Sequence, residues 1–212
     1  MQFVNLIVYD FDGTLVDTKD DIASSVNLTL QELGLPQKSP NEIFGFIGNG
    51  VDQLLEQALD GSGFSDVENA VQIFRKLYDI HLIDQTHYYP GCRQIIDHFS
   101  HKKQAICSNK PEYFVRRILK EFNSENLFDP IVGGDTTAVK KPDPRILLSI
   151  LEHHQSLPYQ TVLIGDSGVD IETGKRARIL TCGVTYGIGG KEAVRDADFV
   201  IDHIDELKEL FH

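Results

Sequence analysis

The chain has 212 residues, of which 41% are hydrophobic and 25% are charged, a composition typical of a globular protein with one core and at most a small insertion. Its formal net charge of −12 repels phosphate backbones and anionic lipids, so neither nucleic acid nor a membrane is an expected partner. Three widely spaced cysteines argue against a disulfide framework or a zinc site and favour a reducing compartment. The first residues lack the features of a secretion signal, and we expect a cytoplasmic protein.

The first predicted strand lies near the start of the chain. Residues 3–9 are mostly apolar and rich in β-forming residues, and they end at Asp10. A short apolar run of this kind is typical of a strand buried on both faces. We therefore predict a buried strand whose carboxyl end carries Asp10.

The segment that follows this strand has only helical patterns. Thr18 is expected to cap a helix that ends at Gly34, and its apolar side chains recur at helical spacing, at Ile22, Val26, Leu30 and Leu33. Ser39-Pro40-Asn41-Glu42 is a capping box with proline at the first helical position. Two further helical patterns cover residues 54–59 and 67–78. The pattern predicts an all-α insertion over residues 17–87 within a core formed by residues 1–16 and 88–212.

After Pro90-Gly91 helical patterns and short apolar runs alternate. The helical patterns cover residues 93–101, 112–121, 144–152, 169–177 and 205–210. The strand patterns cover residues 104–107, 131–132, 161–164, 181–184 and 199–201. This alternation predicts an α/β fold, a Rossmann-like parallel sheet with helices on both faces.

The sequence Asp10-Phe11-Asp12-Gly13-Thr14-Leu15 comes directly after the first strand. In extended backbone residues i and i+2 point the same way, so the carboxylates of Asp10 and Asp12 converge. Ligands of open parallel sheets bind beyond the carboxyl ends of the strands. Two adjacent carboxylates repel each other unless a cation lies between them. A calcium loop is excluded because its sixth position requires glycine and here holds Leu15.

A second acidic cluster, Gly165-Asp166-Ser167-Gly168-Val169-Asp170, follows the predicted strand 161–164. Asp166 and Asp170 are four residues apart, so a helix that begins here places them on one face. Asp166 alone is also explained as a helix cap. Together with the first cluster, these oxygen ligands suit Mg²⁺, which prefers one or two carboxylates, waters and a substrate phosphate.

Two further segments lie at strand-to-helix junctions. Ser108-Asn109 ends the strand 104–107, and its hydroxyl and amide can donate to phosphate oxygens. Lys141 stands just before a predicted helix, where a cation and free backbone N–H groups both favour an anion. Lys140 precedes it, and which of the two lysines reaches the site stays open. Each segment alone is also common at a protein surface.

These segments occur in the order found in the haloacid-dehalogenase superfamily. The chain resembles superfamily phosphatases with an α-helical cap over its whole length, through Asp10-x-Asp12-Gly13-Thr14, Ser108, Lys141 and Gly165-Asp166 with Asp170. Asp12 sets it apart from the dehalogenase and phosphonate-cleaving branches, which usually lack the second aspartate. The resemblance implies a Mg²⁺-dependent phosphatase that acts through an aspartyl-phosphate.

The resemblance also assigns roles. Asp10 is the expected nucleophile, and Asp12 the expected acid for the leaving group and base for the water. Asp10, the backbone carbonyl of Asp12 and Asp166 are the expected magnesium ligands, with Asp170 in support. Ser108 with Asn109, and Lys141, are expected to bind the phosphoryl group.

Two segments resemble bacterial phosphoglycolate phosphatases in particular, Ile47-Gly48-Asn49-Gly50-Val51 and Thr185-Tyr186-Gly187. We expect Gly48, Asn49 and Gly50 to contact the substrate through free N–H donors, although a plain glycine loop also explains them. The expected substrate is a small phosphorylated metabolite, with 2-phosphoglycolate the leading candidate. A sugar-phosphate mutase similar to β-phosphoglucomutase stays open, a signalling receiver domain is a distant alternative, and the chain is expected to be a monomer or a homodimer.

Overall fold

The computed structural model of the chain describes residues 2–212. Its strands are, in chain order, β1 (Leu6–Tyr9), β2 (Val16–Asp17), β3 (His87–Tyr88), β4 (Lys103–Cys107), β5 (Ile131–Val132), β6 (Thr161–Gly165), β7 (Leu180–Val184) and β8 (Phe199–Ile201). Six of them form one parallel sheet in the order β5–β4–β1–β6–β7–β8. The remaining two, β2 and β3, pair antiparallel as a separate ribbon.

The described residues also contain ten α-helices. They are α1 (Lys19–Glu32), α2 (Pro40–Phe44), α3 (Val51–Leu59), α4 (Val67–Ile80), α5 (Cys92–His98), α6 (Glu112–Glu121), α7 (Arg145–His154), α8 (Gly168–Ala177), α9 (Gly190–Val194) and α10 (Leu207–Leu210). The predicted α/β fold with an all-α insertion is confirmed. Helix α9 and the β2–β3 ribbon were not predicted. In the described part of the chain, no helix has both the length and the apolar character that crossing a membrane requires.

The central strand separates two apolar layers. Leu6 and Val8 of β1 pack on one face of the sheet together with buried residues of α7. Ile7 and Tyr9 point to the other face, into a larger core that includes α5 and α6 and continues into the helical insertion. Because alternate residues of a strand face opposite sides, β1 must be apolar at every position. Its carboxyl end is thereby held at the middle of the sheet edge.

The helical insertion consists of α1–α4 and lies between β2 and β3. In α1, Ile22, Val26 and Leu30 are buried at the predicted helical spacing. The predicted capping box at Ser39 is confirmed, since its hydroxyl accepts from the backbone N–H of Glu42 and its own N–H donates to the Glu42 carboxylate. The two-residue strands of the β2–β3 ribbon join these four helices to the sheet.

The prediction that Thr18 caps α1 is confirmed for its position and wrong for its side chain. Thr18 does stand at the N-terminal boundary of α1, but its side chain makes no capping hydrogen bond. Its Oγ1 instead donates to Asp12 Oδ1 at 2.6 Å. A carboxylate is a stronger hydrogen-bond partner than a neutral backbone group, so the hydroxyl turns toward Asp12.

Asp21 joins the two ends of the insertion. Its buried carboxylate, in the first turn of α1, accepts from the backbone N–H of Gln85 at 3.0 Å and of Thr86 at 2.8 Å. Backbone donors that are buried without a partner are costly. One side chain thus fixes the last residues before β3 against the first helix after β2.

We expect Asp21→Ala to lower the free energy of unfolding by about 2–4 kcal/mol, because two backbone N–H groups lose their acceptor. Asp20→Ala is the matched control, since Asp20 occupies the same helical turn and its loss removes only an interaction with the helix dipole of about 0.3–1 kcal/mol. Urea unfolding of both variants checks this. Equal destabilisation by the two changes would contradict the role given to Asp21.

Candidate active site

Three neighbouring strands bring the predicted site residues to one edge of the sheet. Asp10 follows β1, Ser108 follows β4 on one side, and Asp166 follows β6 on the other. All three are buried. The carboxyl ends of parallel strands meet at the same edge, so residues far apart in sequence become neighbours.

Lys141 is the lysine that reaches the site. Its Nζ lies 2.8 Å from Asp10 Oδ1 and 2.5 Å from Asp170 Oδ1, and the residue is buried. Lys140 instead pairs with Asp52 of α3, at 3.2 Å. Burial alone lowers the pKa of Lys141, but Asp10 and Asp170 outweigh it and raise that pKa above its ordinary value, so the ammonium stays charged.

Neighbouring side chains in the second acidic segment, residues 165–170, have different hydrogen-bond partners. Ser167 is the N-cap of α8, and its side chain and that of Asp170 form a capping box. Asp166 therefore does not cap this helix. It accepts from Thr14 Oγ1 at 3.2 Å and from the backbone N–H of Gly189 at 3.0 Å. Its carboxylate is left facing the other acidic groups.

Asp10, Asp166 and Asp170 form a compact acidic cluster, with ligand oxygens that all lie within 4.8 Å of one another. Burial, followed by repulsion from Asp170, raises the pKa of Asp10 to about 8 despite the opposing charge of Lys141. Burial and Asp170 likewise raise the pKa of Asp166 to about 6. One lysine does not balance three carboxylates, and hard oxygen donors at this separation fit a divalent cation such as Mg²⁺.

Gly13 makes the close approach of the first motif to Asp166 possible. Its φ of +82° is in the left-handed region, and an added Cβ would lie 2.4 Å from Asp166 Oδ2. Any side chain at this position would collide with the carboxylate cluster and strain the backbone. The glycine of the motif is thus required by the geometry of the site.

The structure adds two residues that the sequence patterns did not single out. Lys110 Nζ lies 3.1 Å from Asp12 Oδ1 and 2.7 Å from the hydroxyl of Tyr78, a buried residue of α4. Lys110 directly follows Ser108-Asn109, so its position beyond β4 could have placed it at the same edge. Its pairing with Tyr78 had no sequence signal, since it depends on how the insertion packs.

A cavity of about 310 Å³ lies between the insertion and the sheet edge. The sheet side supplies polar groups, namely Asp10, Asp12, Ser108, Asn109, Lys110 and Asp166. The insertion supplies mostly apolar ones, namely Ile22, Phe44, Ile47, Val51, Leu54 and Phe74, together with Tyr78 and the backbone of Gly48 and Gly50. Asn49 is exposed and is not part of this wall.

Asn109 connects the insertion to the lysine loop. Its Nδ2 donates to the carbonyl of Gly48 at 3.0 Å and to that of Lys141 at 3.1 Å, while its Oδ1 accepts from the Lys141 N–H. Gly50 lies close by, where an added Cβ would be 3.3 Å from the Asn109 carbonyl oxygen. The Asn109 amide is therefore engaged in holding Gly48 and Lys141 in place.

Comparison with known proteins agrees with this fold. A family model for haloacid dehalogenase-like hydrolases matches residues 7–184. Similar proteins include a phosphoglycolate phosphatase of Aquifex aeolicus, 39% identical over 98% of this chain and 96% of that protein, and one of Vibrio cholerae, 33% identical over 99% and 98%. A solved structure, described as a predicted phosphoglycolate phosphatase from Haemophilus somnus 129PT, superposes with a TM-score of 0.94 at 27% identity and 99% coverage of both chains. The chain belongs to the haloacid dehalogenase-like hydrolase family.

The raised pKa of Asp10 predicts how the metal-free protein responds to pH. The folded state binds this proton more tightly than the unfolded chain, so stability is lost as pH rises from the ordinary pKa of 3.8 through about 8. We expect the Tm of wild-type protein in excess chelator to fall relative to that of Asp10→Asn between about pH 5.5 and about pH 8. Thermal denaturation at several pH values measures this difference.

The control for this measurement is Asp143→Asn. Hydrogen bonds from Arg145 hold the pKa of the half-buried Asp143 at about 2, so it does not titrate in this range. The Tm difference between Asp143→Asn and wild type should not change with pH. The account of the cluster fails if Asp10→Asn behaves in the same pH-independent way.

Proposed function

We propose that this chain is a Mg²⁺-dependent phosphomonoester hydrolase that acts on 2-phosphoglycolate through a phosphorylated Asp10. Its family and its relatives named phosphoglycolate phosphatase together make the chain a phosphatase. The observation that carries the proposal is the buried carboxylate of Asp10, oriented by Lys141 in the wall of a cavity that also contains Asp12. Relatives named phosphoglycolate phosphatase, at 33–39% identity over nearly the whole chain, support the substrate.

The surroundings of Asp10 support its assignment as the nucleophile. Its Oδ1 accepts from the backbone N–H of Phe11 at 2.7 Å and lies 2.8 Å from Lys141 Nζ. No hydrogen bond from residues 2–212 occupies its Oδ2. These two contacts fix the plane of the carboxylate, and Oδ2 stays available to attack phosphorus. The P–O ester bond then breaks, and its oxygen leaves with the alcohol.

Asp12 is suited to move the proton that this step requires. It lies in the cavity wall two residues after Asp10, and its Oδ1 is held by Thr18 and Lys110. We assign it to protonate the leaving oxygen and then to take a proton from the water that hydrolyses the aspartyl-phosphate. Thr18 and Lys110 fix the orientation of the Asp12 carboxyl in both proton transfers.

The charge on the transferring phosphoryl group is balanced by fixed groups. The Ser108 hydroxyl oxygen accepts from the Lys110 N–H at 3.3 Å, so its hydrogen is available to a phosphoryl oxygen. The Lys141 ammonium is kept beside Asp10 by Asp170, which is itself fixed by Ser167. Asp10, Asp166 and the backbone carbonyl of Asp12 would hold magnesium, which would supply the further positive charge that this chemistry requires.

Residues 17–87 are proposed to move as a cap. The antiparallel ribbon of β2 and β3 is the connection about which the helices can pivot, and Asn109–Gly48 and Lys140–Asp52 are contacts that opening would break. Closure excludes water while the phosphoryl group transfers, and opening releases the product. In this proposal the backbone at Gly48 and Gly50 faces the substrate, whereas exposed Asn49 contributes through its main chain.

The cavity wall favours a hydrolase for a small acid over a sugar-phosphate mutase. Within the described chain, Tyr78 is the one polar side chain that the insertion contributes to this wall. A hexose phosphate carries several hydroxyl groups, and these would be buried against apolar side chains without partners. We further propose a cytoplasmic enzyme, monomeric or homodimeric, with no nucleic-acid or membrane partner.

A substrate screen tests this proposal. With Mg²⁺, we expect kcat/KM for 2-phosphoglycolate to exceed that for glucose 1-phosphate and glucose 6-phosphate by roughly 10-fold or more, with glycolate and inorganic phosphate as products. Excess chelator serves as the control and should abolish turnover. Faster reaction with the hexose phosphates, with a phosphorylated hexose as product, would establish the mutase alternative instead.

A further inference from the structure

The size of the proposed substrate limits where its carboxylate can lie. In 2-phosphoglycolate the carboxylate carbon is two bonds from the ester oxygen. That oxygen must come within hydrogen-bonding distance of the acid that protonates it, about 2.6–3.2 Å. The substrate carboxylate therefore lies within a few ångströms of the Asp12 carboxyl, deep in the cavity.

Among the described residues, a single cationic side chain lines the cavity at that depth. Of residues 2–212, Lys110 is the only lysine or arginine in the cavity wall. Lys141 lies between Asp10 and Asp170, both of which it pairs with, and Lys140 pairs with Asp52. Asp10, Asp12 and Asp166 are the other charged groups of the wall, and they repel a carboxylate. Among the described residues, Lys110 is thus the one cationic side chain that an anionic substrate can meet beside Asp12.

Lys110 is held in a way that suits an anion-binding group. The residue is only 7% exposed, and its Nζ is 2.7 Å from the Tyr78 hydroxyl and 4.5 Å from the centre of the same ring. Its other contact is with Asp12, at 3.1 Å. Because it is fixed and poorly hydrated before a ligand arrives, the ammonium can bind a carboxylate at little cost in ordering or desolvation.

We propose that Lys110 binds the substrate carboxylate, and that Tyr78 of α4 positions Lys110 for this contact. The inference rests on the proposed function and extends it to a specificity residue. Tyr78 belongs to the helical insertion and Lys110 to the sheet edge, so the carboxylate site is complete only when these two parts are packed together. The movement that closes the insertion over the substrate therefore also completes the site that selects esters with a carboxylate.

The test compares 2-phosphoglycolate with its neutral isostere, 2-phosphoglycolamide, with Mg²⁺ present. Both esters have an alkoxide leaving group and about the same shape, so the ratio of their kcat/KM values isolates recognition of the carboxylate. Lys110→Met removes the charge and keeps most of the aliphatic stem. We expect it to reduce the ratio by about 10- to 100-fold, the range for a hydrogen bond to a charged group.

Three matched variants complete the set. Lys110→Arg, which keeps the positive charge, should retain part of the preference. Tyr78→Phe, which keeps the ring and removes the hydroxyl, should reduce the ratio by less than Lys110→Met does. Lys120→Met, which removes an exposed lysine of α6 outside the cavity wall, should leave the ratio unchanged.

A binding measurement keeps the test decisive if Lys110→Met turns over too slowly to assay. In an Asp10→Asn background, calorimetry should show that Lys110→Met weakens binding of 2-phosphoglycolate by the same order, with little effect on 2-phosphoglycolamide. A preserved preference in both measurements would overturn the role of Lys110 and leave the proposed function intact. A wild-type enzyme that hydrolyses the two esters equally well would overturn both the substrate assignment and the inference.

Discussion

The structure depends on the burial of several carboxylates at one sheet edge. Asp10, Asp166 and Asp170 are all buried, and Lys141 is the cation that contacts two of them. Such a cluster is unfavourable for stability by itself, because like charges in a low-dielectric setting repel strongly. A divalent cation bound between the carboxylates would offset this repulsion, and it would also attract the negatively charged phosphoryl group of a substrate. In the proposed function the site is therefore completed by its metal and its substrate.

The surrounding elements hold these buried carboxylates in place. The central strand β1 is buried on both faces and fixes Asp10, and β4 and β6 carry Ser108 and Asp166 beside it. Gly13 permits the close approach to Asp166. Above the edge, the helical insertion lines the cavity with apolar side chains and contacts Lys110 through Tyr78. In the proposed function the sheet edge supplies the chemistry, the insertion controls access, and substrate selection depends on both.

Much of this could be predicted from the sequence because the signals are local. A buried strand followed by Asp10-x-Asp12 places two carboxylates at a strand end, and the later strand ends place Ser108 and Asp166 at the same edge. The fold class and the all-α insertion follow from hydrophobic periodicity in the same way. Lys141 could be named, but its choice over Lys140 depends on distances that no pattern encodes.

The rest depends on tertiary contacts. The Thr18 hydroxyl turns from helix capping to Asp12 because a charged acceptor lies beside it. The ribbon strands β2 and β3 have two residues each, too few to show a periodicity. Lys110 meets Tyr78 only after α4 packs over the sheet edge. Residues that link the insertion to the sheet are therefore the ones that sequence patterns miss.

The central claim is that the phosphoryl group is carried by Asp10, and trapping that species tests it most directly. Asp12→Ala enzyme with p-nitrophenyl phosphate is suited to this, since that leaving group needs little protonation and the missing base slows hydrolysis of the aspartyl-phosphate. Reduction with borohydride during turnover, followed by peptide mass spectrometry, should reveal homoserine at position 10. The product should be absent when Asp10→Asn is added. A phosphorylated Ser108, or a reduced residue at any other position, would contradict the account.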